Sequence, residues 1–300
     1  MTELCAAIEA GGTKWICSVG KGSGEIIEER VIPTTLPEET LALVITALKE
    51  LQETYGTFSS LGIGSFGPLM LNKNSPNYGK FLKTPKEGWS DFDLLSCLRE
   101  ALGDEIIIHI DTDVNTAVQA EVEQGAAKGL ENVCYVTVGT GIGAGIMVDG
   151  KILRGRMHTE VGHIVVNESP LEPVAGFSAC PFHSNCLEGK ASGTAMRERW
   201  GKDPLAFPEV AWELEADYLA QLAVTLTATY SPDMIVFGGG VIKYKPLISL
   251  IRKKFDTLSG GYWDLPATEQ YIQDTKLCDR AGMIGSLILA GQKASNLVNS

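Results

Sequence analysis

Positive charge is what this chain is short of. Its 25 lysines and arginines face 37 aspartates and glutamates, leaving a formal net charge of −12 over 300 residues. A phosphate polyanion needs a basic face, so this balance argues against a nucleic-acid partner. Long apolar runs are missing as well. None reaches membrane-spanning length, and no basic stretch followed by an apolar segment opens the N-terminus, so a cytoplasmic protein is expected. The cysteines, at 5, 17, 97, 134, 180, 186 and 278, are seven in number and scattered through apolar runs. That pattern excludes a disulfide framework and reads as reduced thiols plus one metal-binding pair. Histidine is scarce, with four in all, yet two of the four fall beside that cysteine pair.

The densest chemistry lies between Glu160 and Glu188. Cys180-x-x-His183-x-x-Cys186 has the spacing of a metal knuckle, and His163 supplies a fourth nitrogen or sulfur ligand. Four such ligands close a tetrahedral shell and leave no position for a substrate water, so a structural zinc is expected. For the same reason a zinc hydrolase is the weakest reading of the chain. Glu160 and Glu188 stand at the edges of the knot, available to a polar ligand.

The secondary-structure pattern is α/β, and the length suits one large or two medium domains. A strand over Leu4–Ile8 meets Glu9-Ala10-Gly11-Gly12-Thr13-Lys14, and strand-like residues follow at once from Trp15. Val133–Val138 meets Gly139-Thr140-Gly141-Ile142-Gly143-Ala144-Gly145 and again returns as strand. Dinucleotide fingerprints and P-loops need a helix directly after their glycines, so neither applies. Two glycine hairpins in corresponding places suggest two lobes of one plan. Helices are expected from Glu38 to about Tyr55, after a cap at Asp91, from Thr116 to about Lys128, over Glu209–Tyr230 and over Ala281–Leu289. A buried strand is expected over Ile106–Ile110, and Leu61–Ser65 runs into the turn Phe66-Gly67-Pro68.

Gly11, Gly12 and Thr13, with Lys14 beside them, and Gly139, Thr140 and Gly141 have the make-up of phosphate cradles. Glycine lets successive N–H groups converge on an anion, and threonine adds hydroxyl donors. Gly238, Gly239 and Gly240 end a strand and offer either a third approach to a nucleotide or a plain turn. Asp113 lies just past the end of a buried strand, where open α/β sheets place their ligands. A carboxylate there can take the proton of a hydroxyl attacking a phosphoryl group. Asp111 competes for that role, and spacing alone does not choose between them. A helix cap is the alternative duty for Asp113, with Asn115 or Thr116 better placed to perform it.

Glu9-Ala10-Gly11-Gly12-Thr13-Lys14, Thr112-Asp113-Val114-Asn115, Val138-Gly139-Thr140-Gly141-Ile142-Gly143, Glu160-Val161-Gly162-His163 and the Cys180-to-Glu188 knuckle occur in the order of the ROK sugar kinases. The chain resembles that family over about residues 6–290. Within it the chain is most similar to the bacterial fructokinases, which share a Thr84-Pro85-Lys86 to Trp89 stretch. The resemblance implies an actin-like (ribonuclease H-like) α/β fold of two lobes, with ATP and magnesium in the interlobe cleft. It places the first lobe at 1–115, with a C-terminal helix at 282–300 packing back on it, and the second at 116–281, carrying the zinc loop 160–188. It assigns Asp113 as base, and Gly67, Thr112, Asp113, Glu160, His163 and Glu188 as sugar-binding residues. The two glycine loops would hold ATP phosphates, and Glu9, standing where relatives have aspartate, would face magnesium through water. Thr112 replaces the asparagine of glucose and N-acetylmannosamine kinases, which favours fructose over glucose. A homodimer converting fructose and ATP to fructose 6-phosphate and ADP is therefore expected. The alternatives are a kinase for mannose, glucose or another hexose, and a non-catalytic sugar-binding regulator. The first glycine loop begins nine residues in, so the helix-turn-helix segment of the family's repressors is not expected.

Overall fold

In the computed structural model, which describes residues 4–292, the chain divides into two compact units. Residues 4–120, 153–158 and 280–292 form the first, and 121–152 with 159–279 form the second. Each unit is built around a five-stranded mixed sheet.

In the first unit β1 (Leu4–Ala10), β2 (Lys14–Lys21) and β3 (Ile26–Pro33) form an antiparallel meander, followed by α1 (Pro37–Tyr55) and β4 (Ser60–Ser65). After α2 (Leu94–Leu102), β5 (Ile107–Thr112) closes the sheet in the order β3-β2-β1-β4-β5, with β1, β4 and β5 parallel. Side chains alternate across a strand, and β1 is apolar on both faces because both are covered. Ala6, Ile8 and Ala10 join the core formed with Val44, Leu48, Leu94 and Leu98, while Cys5 and Ala7 face the chain's last helix.

Helix α3 (Asp113–Gln124) leads into the second unit. There β6 (Val133–Val138), β7 (Ile142–Val148) and β8 (Lys151–Ile152) repeat the meander. Short helices α4 (Leu187–Ala191) and α5 (Gly193–Trp200) precede the long α6 (Glu209–Tyr230). Then come β9 (Met234–Gly238), α7 (Pro246–Ser259), α8 (Thr268–Tyr271) and β10 (Ile272–Asp274). The sheet order β10-β9-β6-β7-β8, with β6, β9 and β10 parallel, matches the first unit strand for strand. The α/β class and the doubled plan inferred from the glycine hairpins therefore hold, and each unit carries one mixed sheet of the same order.

Local details differ from expectation. Helix α2 is capped by Asp93, whose carboxylate accepts from Ser96 N–H, and not by Asp91, which has φ +62° and ends the preceding turn. Strand β5 begins exposed at Ile107 and is buried only from His109 onward, so its β-branched run overstated its burial. Helix α3 starts at Asp113 rather than Thr116 because Thr112 caps it, its Oγ1 accepting from Asn115 N–H at 3.2 Å.

The final helix, α9 (Ala281–Ala290), packs on β1 and β4. Residues 293–300 of the expected helix 282–300 lie outside the described residues. The small residues of α9 are there for contact. A Cβ on Gly285 would lie 1.8 Å from the carbonyl oxygen of Thr116 in α3, and one on Gly62 of β4 would lie 1.9 Å from that of Ser286. Both obstacles are backbone and cannot swing aside. Overpacking of this kind costs typically about 1–3 kcal/mol, so Gly285→Ala should lower the unfolding free energy by about that amount. Gly155→Ala, with no atom nearer than 3.8 Å, is the control and should be neutral. Urea unfolding measures both, and equal midpoints for the two variants would remove the close-packing account of α9.

Candidate active site and metal centre

The C-terminal end of β5 delivers three polar residues in a row, and the structure gives each a different task. Asp111 is buried and fully engaged. Its Oδ2 accepts from Arg154 Nη2 at 2.5 Å, and its Oδ1 from Asn115 Nδ2 at 2.7 Å and from Thr112 N–H at 2.8 Å. Thr112 spends its hydroxyl on capping α3. Asp113, the first residue of that helix, is only partly buried, and its Oδ1 accepts from Val114 N–H at 2.9 Å. The capping duty weighed for Asp113 belongs to Thr112, and neither Asn115 nor Thr116 performs it. Burial pushes the Asp113 carboxyl up to about 6, opposed by backbone hydrogen bonds. A carboxylate near neutrality at the end of a parallel strand is suited to general-base work. Gly67 follows β4 in the same unit, and the next peptide but one, Leu69 N–H, donates to His158 Nε2 at 3.0 Å.

The first glycine loop, Gly11–Thr13, is a tight β1–β2 turn closed by Gly11 N–H to the Lys14 carbonyl at 3.0 Å. Thr34 braces it from β3's end, accepting none of its donors. Thr34 N–H donates to Thr13 O and Thr34 Oγ1 donates to Gly11 O. The carbonyls of Gly11 and Thr13 are thereby occupied. Lys14 is exposed at the start of β2. Glu9, next to last in β1, has its carboxylate packed against Gly282 at the start of α9.

The second loop is built on the same logic. Gly193 N–H and Thr194 Oγ1, at the N-terminus of α5, donate to the carbonyls of Gly139 and Thr140 at 2.8 Å each. Space above Gly139 is open, as a cradle requires. Glu188, on α4, accepts from Ile142 N–H through Oε2 at 2.9 Å, and a Cβ on Gly141 would come within 2.5 Å of that oxygen. The residue assigned from sequence to the sugar thus also holds the end of the second loop. Of the third glycine run, Gly238 and Gly239 are consumed by packing on Tyr135 and Val138, Gly239 with φ +93°, and only Gly240 faces open space.

His163, Cys180, His183 and Cys186 do converge, with ligand atoms all within 4.8 Å of one another. His163 sits in a single 3₁₀ turn (Val161–His163), and Glu160 precedes it. Two features fit a metal. His163 Nδ1 is buried with no hydrogen-bond partner among the described residues, an arrangement costly unless a ligand uses its lone pair. Burial pushes the Cys186 thiol up to about 11, a penalty that a dication reverses. The donor set is that of zinc. Residues that sequence reasoning missed secure the segment. Arg199 on α5 makes a two-pronged pair with Glu172 at 2.8 and 3.0 Å, and both side chains are buried. Tyr218 of α6 donates to the same carboxylate, and the buried Lys190 of α4 reaches Glu168 at 2.8 Å. Pairs so distant in sequence leave no periodic signal. No described helix is long and apolar enough to cross a membrane.

The ROK family model matches residues 5–293. A fructokinase of Pediococcus pentosaceus is 40% identical over 98% of this chain and 99% of its own length. A fructokinase of Zymomonas mobilis is also 40% identical, over 96% of each chain. Among solved structures, the ROK hexokinase of Thermus thermophilus matches with a TM-score of 0.77 and 25% identity, covering 99% of this chain and 100% of its own.

The raised Asp113 carboxyl has a consequence for stability. Between its ordinary 3.8 and about 6 the folded chain binds the proton more tightly than the unfolded one, so stability falls as pH rises through that window. The cost is absent below it and complete above it. Asp113→Asn should therefore stabilise the protein by about 1–3 kcal/mol at about pH 8 and by almost nothing near pH 4. Thermal melts across pH read this directly. A gain of equal size at both ends would show that charge burial is not its source.

Proposed function

The chain belongs to the ROK family, and from that membership we infer that it is an ATP-dependent hexose kinase whose sugar is fructose. The identity of about 40% to fructokinases across nearly the full chain carries the choice of fructose. The chemistry is supported by Asp113, which Thr112 and Asp111 leave free of structural duty. In this reading the fructose 6-hydroxyl oxygen attacks the terminal phosphorus of ATP, the bond to the ADP oxygen breaks, and the hydroxyl proton passes to Asp113. Alignment and charge stabilisation supply most of the catalysis in such transfers. The loops Gly11–Thr13 and Gly139–Gly141 are assigned to the phosphates. Thr34 ties back the carbonyls of Gly11 and Thr13 in the first, and Gly193 and Thr194 those of Gly139 and Thr140 in the second, and the amides of Gly12, Thr13, Thr140 and Gly141 are the donors assigned to an anion. Of the third run only Gly240 keeps a nucleotide assignment. Gly67, Thr112, Glu160, His163 and Glu188 are assigned to the sugar. Magnesium, bound with ATP, neutralises phosphate charge, and Glu9 is the carboxylate assigned to its water shell.

His163, Cys180, His183 and Cys186 are assigned to one structural zinc. Cys186 caps α4, its Sγ accepting from Gly189 N–H, and Glu188 lies two residues on. The metal thereby fixes the helix that presents Glu188. Assembly as a homodimer and a cytoplasmic setting complete the proposal, and seven cysteines that form no disulfide suit a reducing compartment.

Coupled measurement of ADP release with fructose, mannose and glucose tests the activity, with fructose expected to give the highest kcat/KM. Asp113→Asn should turn over about 10²–10⁴ times more slowly while binding fructose within a few-fold of the parent. Parent turnover should fall off below about pH 6, where Asp113 gains its proton. No ADP release with any hexose would leave a sugar-binding regulator as the reading.

Protein purified without chelator should carry one zinc per chain. Cys186→Ser should lose it and open residues 164–190 to protease, while urea unfolding of the first unit is unchanged. Parent protein free of zinc by elemental analysis refutes the assignment.

A further inference from the structure

Beside the first glycine loop stands a lysine to which neither the family motifs nor the site description gives a task. Lys86 Cε lies 3.5 Å from the position a Cβ on Gly12 would occupy, so the lysine stem runs over the bare face of the loop. The ammonium is one bond further on. Lys86 is half-buried, and among the described residues no carboxylate pairs with it. Holding a lysine side chain in one place forfeits much of its rotamer freedom. Without a carboxylate to offset that loss, the placement points to an anion that binds there.

The segment carrying Lys86 is fixed to the same support as the loop. Thr84 and Ser90 clasp each other, Thr84 N–H donating to Ser90 Oγ at 3.1 Å and Ser90 Oγ to Thr84 O at 3.0 Å. Lys86 N–H donates to Thr84 Oγ1, and Trp89 N–H to the Lys86 carbonyl. Trp89 is fully buried against Trp15, the residue that follows Lys14, with ring centroids 5.3 Å apart. Its Nε1 donates to Thr35 O at 2.9 Å, while the neighbouring Thr34 holds Gly11 and Thr13. Thr34 and Thr35 therefore set the loop and the lysine in mutual register. A solvent-facing lysine needs no such frame.

We propose that Lys86 is a phosphate-contacting residue of the ATP site, its ammonium reaching oxygens of the phosphate chain seated on Gly11–Thr13 and neutralising their charge during transfer. The proposal rests on the reading of that loop as an ATP cradle. A lysine in this position acts as a point charge on phosphate. It adds to the loop amides a charge that glycine cannot provide, in a protein whose net charge otherwise opposes the ligand.

The test is calorimetric titration of magnesium-ATP into the parent, Lys86→Met, Lys86→Gln and Lys86→Arg, with melting temperature and steady-state kinetics on each. Lys86→Met and Lys86→Gln should bind magnesium-ATP about tenfold or more weakly and lose about 10²–10³ in kcat. Their KM for fructose and their melting temperatures should match the parent, and Lys86→Arg should recover most of the affinity. Parent-like ATP binding in both neutral variants would overturn the proposal, and so would a defect confined to the fructose KM. A melting drop shared by both neutral variants, with ATP affinity falling in proportion, would show a structural role and overturn it too. A parent that binds magnesium-ATP through Lys86 but does not phosphorylate fructose would support this inference and refute the fructose assignment. A parent that phosphorylates fructose with Lys86→Met unimpaired does the reverse.

Discussion

A carboxylate can act as a base only if its own protein has not already claimed it, and the end of β5 leaves the proposed base, Asp113, in that state. Two carboxylates one residue apart cannot both be left half-solvated without mutual repulsion. Arg154 and Asn115 neutralise and fill the hydrogen-bonding capacity of Asp111, and Thr112 satisfies the α3 terminus. What remains on Asp113 is an oxygen with no partner stronger than a neighbouring amide. The first turn of α3 is wedged in turn. Thr116 Oγ1 donates to the Asp113 carbonyl, and Thr116 itself is seated against Gly64 and Gly285, where an added Cβ would clash with it. The closeness of α9 thus fixes the backbone from which the carboxylate projects.

Much of this arrangement is legible in the amino-acid sequence. Strand-to-strand glycine loops, the knuckle spacing and the position of Asp113 at a strand end are local patterns, and the fold keeps each of them. Boundaries fare less well where one hydrogen bond decides them. Thr112 rather than Asn115 caps α3 because a threonine oxygen one residue before the helix reaches the third amide, and no composition rule separates the candidates. The least legible features are contacts across long stretches of chain. Residues 153–158 return to the first unit and bring Arg154 to Asp111 and His158 to Leu69. Glu188 finds Ile142 across 46 residues, and Arg199 finds Glu172 in a buried site. Such pairs obey geometry rather than periodicity.

In the second unit, the knuckle and the glycine loop are one mechanical object. Cys186 caps α4, Glu188 stands in its first turn, and the Glu188 carboxylate takes an amide at the end of the second loop. Leu187 N–H also donates to the Ile164 carbonyl, stitching the helix start to the segment after His163. A buried bidentate pair such as Arg199–Glu172 adds little net stability but resists rearrangement, since parting the two strands an uncompensated charge. Rigidity of this kind suits Glu188, which holds the end of a loop and is proposed to bind the sugar.

A chain carrying twelve excess negative charges has to bind a polyanion by local means. Screening at physiological salt confines charge interactions to about 8 Å, so the distant acidic surface weakens association only modestly. Within that radius the first loop offers the amides of Gly12 and Thr13, the exposed Lys14, and Lys86, which no carboxylate among the described residues pairs. The carbonyls of Gly11 and Thr13, which would repel phosphate, are turned aside onto Thr34. The second loop does the same with different donors, Gly193 and Thr194 drawing off the carbonyls of Gly139 and Thr140. Removing acceptors from a cradle matters as much as adding donors to it, because each unsatisfied carbonyl aimed at an anion cancels an amide. In both loops two carbonyls are drawn off by residues far away in sequence, Thr34 for the first and Gly193 with Thr194 for the second, an arrangement that glycine content alone does not reveal.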